Sequence, residues 1–496
     1  MNLLTLLDMA AEGHGDRLLL GTANRGLTGA QLAVRARRGA RHLTAAGAGT
    51  VVYIGENGLS VPLALFAASA AGLPFLPLNY RLPASQLAEI IGRQDRPFVI
   101  ADAAPELVPG TVTVTPGEWE DLVADPSCGE GVSDSGEPAD DDEAVLLMTS
   151  GTTAAPKSAV LRHRHLVSYI LGSVDFGSAD TTDAVIVSVP PYHIAAIANL
   201  LSNLYSGRRI VYLDRFTARN WLEVTTAERV THAMVVPTML ARIVDELETG
   251  DASVPGQLRS LSYGGAPLSP VILGRALALL PDAGFVNAYG LTETSSSVAV
   301  LGPEDHRAAV ASENPAVQAR LGSVGRPLPE VEIEVRDADG KPCPPGQAGQ
   351  IYVRGPQVAG EYREAGPVTD PDGWFPTRDE GYLDDGGYLF VRGRADDTII
   401  RGGENIAPAE IEAVLEQIPG VAEVAVVGLP SEEWGQRIGA FIVTRPGVGL
   451  SADEVREFAR ARLRSSKTPD TVTFLGELPH TATGKLLRRQ LATLAP

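Results

Sequence analysis

Apolar and polar positions alternate along this chain in blocks. Val51–Ile54, Phe75–Leu78 and Phe98–Ile100 are short apolar runs of strand length, and Val61–Ala71 and Ala84–Gln94 between them have helical character. Strands separated by helices predict βαβ units around a parallel sheet. The alternation continues with strands expected at Ala144–Met148, Ala184–Val189, Arg209–Tyr212, His232–Val235, Ser260–Tyr263 and Gly284–Asn287. Helices are expected at Thr238–Glu248 and Pro270–Leu280. The pattern predicts a large α/β unit, doubly wound and built as two related layers, in which ligands bind at the carboxyl ends of the strands.

From about Val331 the pattern changes. Glu332–Val335, Gln350–Val353 and Tyr388–Val391 read as short strands between Gly/Pro turns, a small β-rich subdomain. Beyond it, Pro408–Ile418 carries Ile411, Val414, Leu415 and Ile418 on one helical face. Strands at Val421–Val427 and Arg437–Val443 and a helix at Ala452–Leu463 complete a smaller α+β unit of about 100 residues, an ordinary domain size. Domains are therefore expected at residues 1–395 and 396–496. Asp125–Glu143 is polar and acidic, with no Lys or Arg, and reads as a surface linker.

Composition narrows the picture. A length of 496 residues allows several cores, and 44% hydrophobic content is that of a soluble globular protein. A net charge of −20 argues against general attraction to nucleic acid or an anionic membrane, so an anionic ligand must be held locally. Two cysteines, Cys128 and Cys343, exclude a disulfide framework and a Cys-rich zinc module. The stretch MNLLTLLDMAAEGHGDR lacks a basic n-region and reads as an amphipathic helix. No apolar run reaches the roughly 18 to 20 residues of a membrane span. A cytoplasmic protein is expected.

The stretch with the clearest chemistry is MTSGTTAAPKSAVLRHR, Met148–Arg164. Thr149, Ser150, Gly151, Thr152, Thr153 and Lys157 follow a strand, and amides, hydroxyls and an ammonium in such a loop suit phosphate. The spacing to Lys157–Ser158 nearly matches a P-loop, but Pro156 before the lysine has no N–H to donate. A Ser/Thr-rich turn with a solvated lysine is the alternative. Three strand-end segments add to it: PPYHIAA, SYGGAPLS and AYGLTETSSS. Gly264 and Gly265 would let backbone approach a flat ligand. Thr292 and Glu293 offer a hydroxyl for a phosphate oxygen and a carboxylate for Mg²⁺. For each segment alone, an ordinary strand-to-helix turn explains the residues.

In this order the motifs resemble the adenylate-forming superfamily, which includes acyl-CoA synthetases, luciferases and the adenylation domains of peptide synthetases. The resemblance covers nearly the whole chain. TSGTTAAPKS is similar to the family's phosphate loop, PPYH to its acyl-pocket motif, and YGGAP and AYGLTET to its adenine and Mg²⁺/phosphate motifs. WFPTRDEGYLDDGGYLFVRGRADDTI resembles its ribose and hinge region, and PHTATGK its catalytic-lysine motif.

The resemblance implies ATP, Mg²⁺ and CoA as ligands, and a mobile C-terminal domain that swings about Asp396. By position, Lys485 is implied as the adenylation lysine, Thr292 at the α-phosphate and Glu293 on Mg²⁺. Gly264, Gly265, Ala266, Pro267, Asn287, Ala288, Tyr289 and Gly290 would frame the adenine. Asp379 would take the ribose hydroxyls with Arg394 beside it, and Gly402 and Gly403 would line the pantetheine tunnel. Tyr192, His193, Val236, Pro237 and Tyr263 would border the acyl pocket, His193 being equally readable as a packed strand-end histidine. Its aromatic and apolar walls favour an aryl, aryl-propenoic or medium-chain acid. No acidic residue stands near Ile194–Ala195, where amino-acid-activating relatives hold an amino group.

Ala154 and Ser158 stand where the phosphate loop usually has Gly, and Thr377-Arg378-Asp379 replaces the usual Thr-Gly-Asp. The expected activity is an AMP-forming acid–CoA ligase. A separate acyl carrier protein, or another nucleophile, is the alternative acceptor. An ADP-forming P-loop NTPase is the different-class alternative, disfavoured by Pro156. The oligomeric state is left open, a homodimer included.

Overall fold

The computed structural model describes residues 1–102, 111–133, 136–149, 157–250, 253–394, 397–401, 404–431, 434–481 and 486–494. Two large sheets dominate it. One runs, in spatial order, Arg326–Pro327, Ser296–Leu301, Gly284–Leu291, Ser260–Gly264, His232–Val235, Ala184–Val187, Arg209–Tyr212, Leu18–Thr22 and Arg25–Thr28. From Gly284–Leu291 to Leu18–Thr22 all neighbours are parallel. The other centres on Glu143–Thr149, Phe75–Pro77, Thr50–Ile54 and Pro97–Ala101, also joined in parallel.

The sequence explains what lies in the core. The helix Ser60–Ala70, SVPLALFAASA, is apolar all round, and every one of its 11 residues is buried. A helix with no polar face can be stable only inside a core. Its cluster takes in Val51, Tyr53 and Phe75 from one large sheet and Val185 and Ile186 from the other. The N-terminal region also holds the helix Leu3–Gly13 and a hairpin, Leu18–Thr22 with Arg25–Thr28, followed by the helix Gly29–Ala45. A local signal marks that helix: Thr28 caps it and Gln31 returns a hydrogen bond to the cap, a reciprocal capping box.

Residues Glu332–Arg336, Gly349–Arg354, Phe375–Leu383 and Leu389–Arg394 form an antiparallel sheet of their own, over a core containing Val331, Ile351 and Phe375. From Ile399 onward another sheet, built on Val421–Ser431 and Gly435–Thr444, packs the helices Pro408–Leu415 and Ala452–Arg460 around Ile411, Val426 and Ile442.

Two local expectations are corrected. The strand from Gly284 does not end at Asn287 but continues to Leu291, so Ala288, Tyr289 and Gly290 lie in the strand. It then turns through the short 3₁₀ segment Thr292–Thr294 and returns antiparallel as Ser296–Leu301. This is no strand-to-helix turn. Gly290 makes the return possible: a Cβ there would lie 1.9 Å from the Ser296 carbonyl oxygen. Lys157, expected in a loop, is the first residue of the strand Lys157–Arg162, paired antiparallel with Glu143–Thr149 at Thr149. A nucleotide kinase loop leads into a helix; this one leads into the second arm of a hairpin.

Candidate active site

Strand register assembles the site. Val235, Tyr263 and Asn287 are side by side across three parallel strands, and Gly264 pairs with Ala288 one residue further on. The segments after these positions therefore leave the sheet together, at the carboxyl ends where doubly wound sheets bind ligands. Val236–Pro237, Gly264–Pro267 and Ala288–Glu293 converge for that reason. Gly265 takes φ +84°, a left-handed turn that favours glycine, and a Cβ added there would meet Val236 at 3.9 Å. The Val236 wall and the Gly264–Gly265 turn thus adjoin. Asn287 is tied through its Nδ2, which donates to the Ser323 carbonyl at 3.0 Å.

Tyr289 and Asp379 come from different sheets and meet. The Tyr289 hydroxyl donates to Asp379 Oδ2 at 2.6 Å, and Arg394 Nε lies 3.2 Å from Asp379 Oδ1. Asp379 and Arg394 face each other across an antiparallel pair, which fixes the ion pair in the sheet. Burial, and then the Asp379 carboxylate, raise the Tyr289 pKa well above its ordinary value, so the phenol stays a donor. A carboxylate has about four lone-pair sites, so one aimed in this way is chemically suited to accept from vicinal hydroxyls.

Arg378, between Thr377 and Asp379, adopts φ +62°. The conformation a glycine takes without strain is thus kept by an arginine. Thr377 Oγ1 donates to the Ile351 carbonyl at 2.8 Å and accepts from the Asp379 amide at 3.1 Å, which holds the turn. Arg378 thus adds a cation to a turn whose backbone sits in the region that favours glycine.

Glu293 is 8% exposed and sits in the 3₁₀ turn beside Thr292. The two residues after the turn, Ser295 and Ser296, have φ +55° and +115°. Non-glycine residues in such conformations cost on the order of 1 kcal/mol or more each and persist only where surroundings impose them. What imposes them is the segment 357–362. Gln357 Nε2 donates to the carbonyls of Thr294 and Ser297, at 3.0 and 2.7 Å. Ala359 and Gly360 donate their amides to the Glu293 carbonyl, at 2.9 and 3.1 Å. The Tyr362 hydroxyl donates to Glu293 Oε1. The sequence reading missed Gln357 and Tyr362, because no local pattern marks residues whose partners are some 60 to 70 positions away.

Among the described residues no group of three or more His, Cys, Asp or Glu side chains could hold a metal. A single buried carboxylate is the donor set expected for Mg²⁺ that arrives on a nucleotide, with phosphate oxygens and water completing an octahedron. Thr149 Oγ1 donates to the Lys157 carbonyl at 3.4 Å. Lys157 Nζ lies 5.5 Å from the Tyr362 ring centroid. Ser158 takes no part in an open loop: its amide and hydroxyl both donate to Glu364, at 2.8 and 2.9 Å.

On the acyl side, His193 caps the helix Ile194–Ser206, its Nδ1 accepting from the Ala195 amide at 3.3 Å. That bond places the ring proton on Nε2. Tyr192 packs edge-on against Tyr80, with ring centroids 5.9 Å apart. Its hydroxyl is buried without a partner among the described residues, and burial followed by the Tyr80 neighbour pushes its pKa up to about 12. Tyr263 lies deeper, 1% exposed, with its hydroxyl 2.9 Å from His306 Nε2. Ser150, Gly151, Thr152, Thr153, Asp396, Gly402, Gly403 and Lys485 lie outside the described residues.

Comparison with known proteins matches this geometry to one family. The model described as "AMP-binding enzyme" matches residues 7–363, and "AMP-binding enzyme C-terminal domain" matches residues 410–485. A fatty acid–[acyl-carrier-protein] ligase, ScoC, of Streptomyces coeruleorubidus is 34% identical over 491 residues, covering 94% of this chain and 91% of that protein. A feruloyl-CoA synthase of an Amycolatopsis species is also 34% identical, over 484 residues, covering 94% of this chain and 93% of its own. Among solved structures, o-succinylbenzoate CoA synthetase (MenE) from Bacillus subtilis, in complex with its acyl-adenylate intermediate, superposes with a TM-score of 0.85 at 28% identity. That match covers 98% of this chain and 97% of the other. Among the described residues no helix is long and apolar enough to cross a membrane.

Proposed function

Because this chain belongs to the AMP-binding enzyme family, we propose that it activates an aryl, aryl-propenoic or medium-chain carboxylic acid as its acyl-adenylate and then transfers the acyl group to CoA. The enzyme is an AMP-forming acid–thiol ligase. The observation that carries the proposal is the Tyr289–Asp379–Arg394 constellation, standing beside the convergent strand ends.

In this reading Asp379 accepts the ribose hydroxyls while Tyr289 and Arg394 hold its carboxylate. Gly264–Pro267 and Asn287–Gly290 frame the adenine, and Thr292 contacts the α-phosphate. The loop Thr149–Lys157 covers the β- and γ-phosphates. A carboxylate attacking the α-phosphorus brings two anions together. Lys485 supplies positive charge where it develops, and Glu293 would hold the Mg²⁺ whose charge would offset that of the leaving pyrophosphate. Pyrophosphate departs in line, and the carboxyl oxygen becomes bonded to phosphorus. Thiol attack on the carbonyl then expels AMP. It needs different groups at the same carbon, which a swing of residues 396–496 about Asp396 would bring by withdrawing Lys485 and presenting Gly402–Gly403.

The acid assignment rests on the pocket walls. Val236, Pro237, Tyr192 and the Tyr80 edge are apolar or aromatic, and the helix start at Ile194–Ala195 carries no carboxylate for an amino group. A second acceptor, the phosphopantetheine of a separate carrier protein, is favoured by one observation: a fatty acid–[acyl-carrier-protein] ligase and a feruloyl-CoA synthase are equally similar to this chain.

Product analysis tests both readings. The protein is incubated with ATP, Mg²⁺, CoA and a panel of aryl and fatty acids, and nucleotides and acyl products are read by mass spectrometry. AMP with an acyl-CoA is expected, and it names the acid. Acyl-adenylate without acyl-CoA would move the acceptor to a carrier protein or another nucleophile. ADP formed without dependence on any acid would overturn the chemistry.

A further inference from the structure

We propose that Tyr362 is a positioning residue for the metal-bound nucleotide: it orients Glu293 so that one carboxylate oxygen faces Mg²⁺ and links that carboxylate to Lys157 of the phosphate loop. The inference rests on the reading of Glu293 as the metal-side carboxylate.

Three observations carry it. The first is directional. The Tyr362 hydroxyl donates to Glu293 Oε1, and among the described residues Oε2 carries no partner. A carboxylate held by one oxygen presents the other in a fixed direction. Hydrogen bonds from an outer group to a metal-side ligand set that ligand's orientation. An O–H donor to an ionised carboxylate also makes one of the stronger hydrogen bonds.

The second is topological. Tyr362 lies on the short strand Glu361–Tyr362, which pairs with Lys157–Arg162 at Ala159. That pairing puts its ring under Lys157 Nζ, 5.5 Å from the centroid, within the range of a cation–π contact. Arg162 clamps the same short strand through three bonds to Glu361, at 2.8, 2.9 and 3.0 Å. One side chain therefore touches both the lysine that closes the phosphate loop and the carboxylate on the metal side.

The third is mechanical. The backbone just before Tyr362 holds the Glu293 carbonyl through two amides, and Gln357 holds the two carbonyls that flank the turn's strained exit. Backbone and side chain of the Glu293 turn are thus fixed by one continuous segment.

Tyr362→Phe removes the hydroxyl and keeps the ring beneath Lys157. The test is calorimetric titration of α,β-methylene-ATP, which cannot lose pyrophosphate, at a series of Mg²⁺ concentrations. The expected result is an apparent Mg²⁺ requirement raised about tenfold, with metal-free nucleotide binding and the melting temperature of the free protein unchanged. Glu293→Gln, titrated in parallel, separates the two claims. A shifted Mg²⁺ requirement in Glu293→Gln together with an unshifted one in Tyr362→Phe would overturn the positioning role alone. No shift in Glu293→Gln would overturn the metal reading and this inference with it. Equal weakening of binding with and without Mg²⁺ in Tyr362→Phe would mean the tyrosine only packs, and would also overturn it.

Discussion

The Tyr289 hydroxyl donates to Asp379 Oδ2 at 2.6 Å, joining the parallel sheet to the antiparallel one at the proposed ribose site. Asp379 is 7% exposed, so its charge is stabilised by what touches it and little by water. Tyr289→Phe leaves the ring in place and takes away one charge-assisted bond, of about 1.5 to 3 kcal/mol. The carboxylate is then less firmly aimed. AMP binding, measured by calorimetry, is expected to weaken by about one order of magnitude or more, with adenylation kcat changed less than KM for ATP. Unaltered AMP affinity would show that the bond does not prepare a nucleotide site.

Arg378 poses a backbone question. At φ +62° an L side chain costs about 1 to 2 kcal/mol, while a glycine there would lose more chain entropy on folding, about 0.5 to 1 kcal/mol. The two nearly offset. Arg378→Gly is therefore expected to hold or slightly raise the denaturation midpoint. Arg378→Val, β-branched and poorly tolerated at positive φ, is expected to lower stability by a further 1 to 2 kcal/mol or so. Thermal melts of the two variants check the order. A valine variant as stable as the parent would mean the turn is free to reshape.

His193 serves a helix and faces a pocket-side motif, and two substitutions separate those roles. His193→Ala deletes the cap on Ile194–Ser206, at about 1 kcal/mol. His193→Asn supplies a good cap again. Asparagine is expected to restore the melting temperature but not the parent's ranking of acids in the panel. If the asparagine variant keeps that ranking, the histidine is only a cap.

Much of the fold was legible because most buried strands are short apolar runs and most helices carry their own stripe or cap. Arg209–Tyr212 and His232–Val235 have the predicted bounds for that reason. The extension of the strand to Leu291 was not legible, since AYGL has neither alternation nor an apolar run and is ordered by its neighbours. The candidate site divides the same way. Asp379, Arg394, Tyr289 and Glu293 lie in motifs whose order in the chain gave them away. Tyr362 lies in GEYREAG, where nothing local distinguishes it from a surface tyrosine, and only the folded chain brings it to Glu293.

Two buried histidines make stability depend on pH. His163 is 1% exposed, its Nδ1 accepts the Leu3 amide at 3.2 Å, and burial lowers its pKa to about 4, against the pull of Asp142 and Asp140. His165 is lowered to about 3, by burial and then by Arg164 and Arg162. Both are neutral when folded and titrate near 6.5 when unfolded, so the unfolded chain binds more protons as pH falls. Their contribution is fully present above pH 6.5 and is lost as pH drops toward 4, by up to about 1.4 kcal/mol per pH unit for each. The urea midpoint is expected to fall between pH 7 and pH 5, and less steeply in His163→Asn. A midpoint that stays level across that interval would contradict the burial of these rings.

The last prediction concerns timing within the catalytic cycle. Lys485 closes the match to the C-terminal family model. Its proposed work is confined to adenylation, where negative charge accumulates between carboxylate and α-phosphate. In thioester formation the thiol sulfur bonds to the acyl carbon and gives up its proton, and the anhydride C–O bond breaks with its electron pair going to AMP, so no anion has to approach the α-phosphate. Lys485→Ala is therefore expected to reduce acid-dependent pyrophosphate release by about two to three orders of magnitude, the usual loss for one preorganised charge. Starting from a preformed acyl-adenylate, the same variant should make acyl-CoA at close to the parent rate. Rapid-quench assays of the two half-reactions decide it. Equal losses in both would place Lys485 in a shared structural role, and a selective loss of the thiol step would reverse the assignment of domain positions to half-reactions.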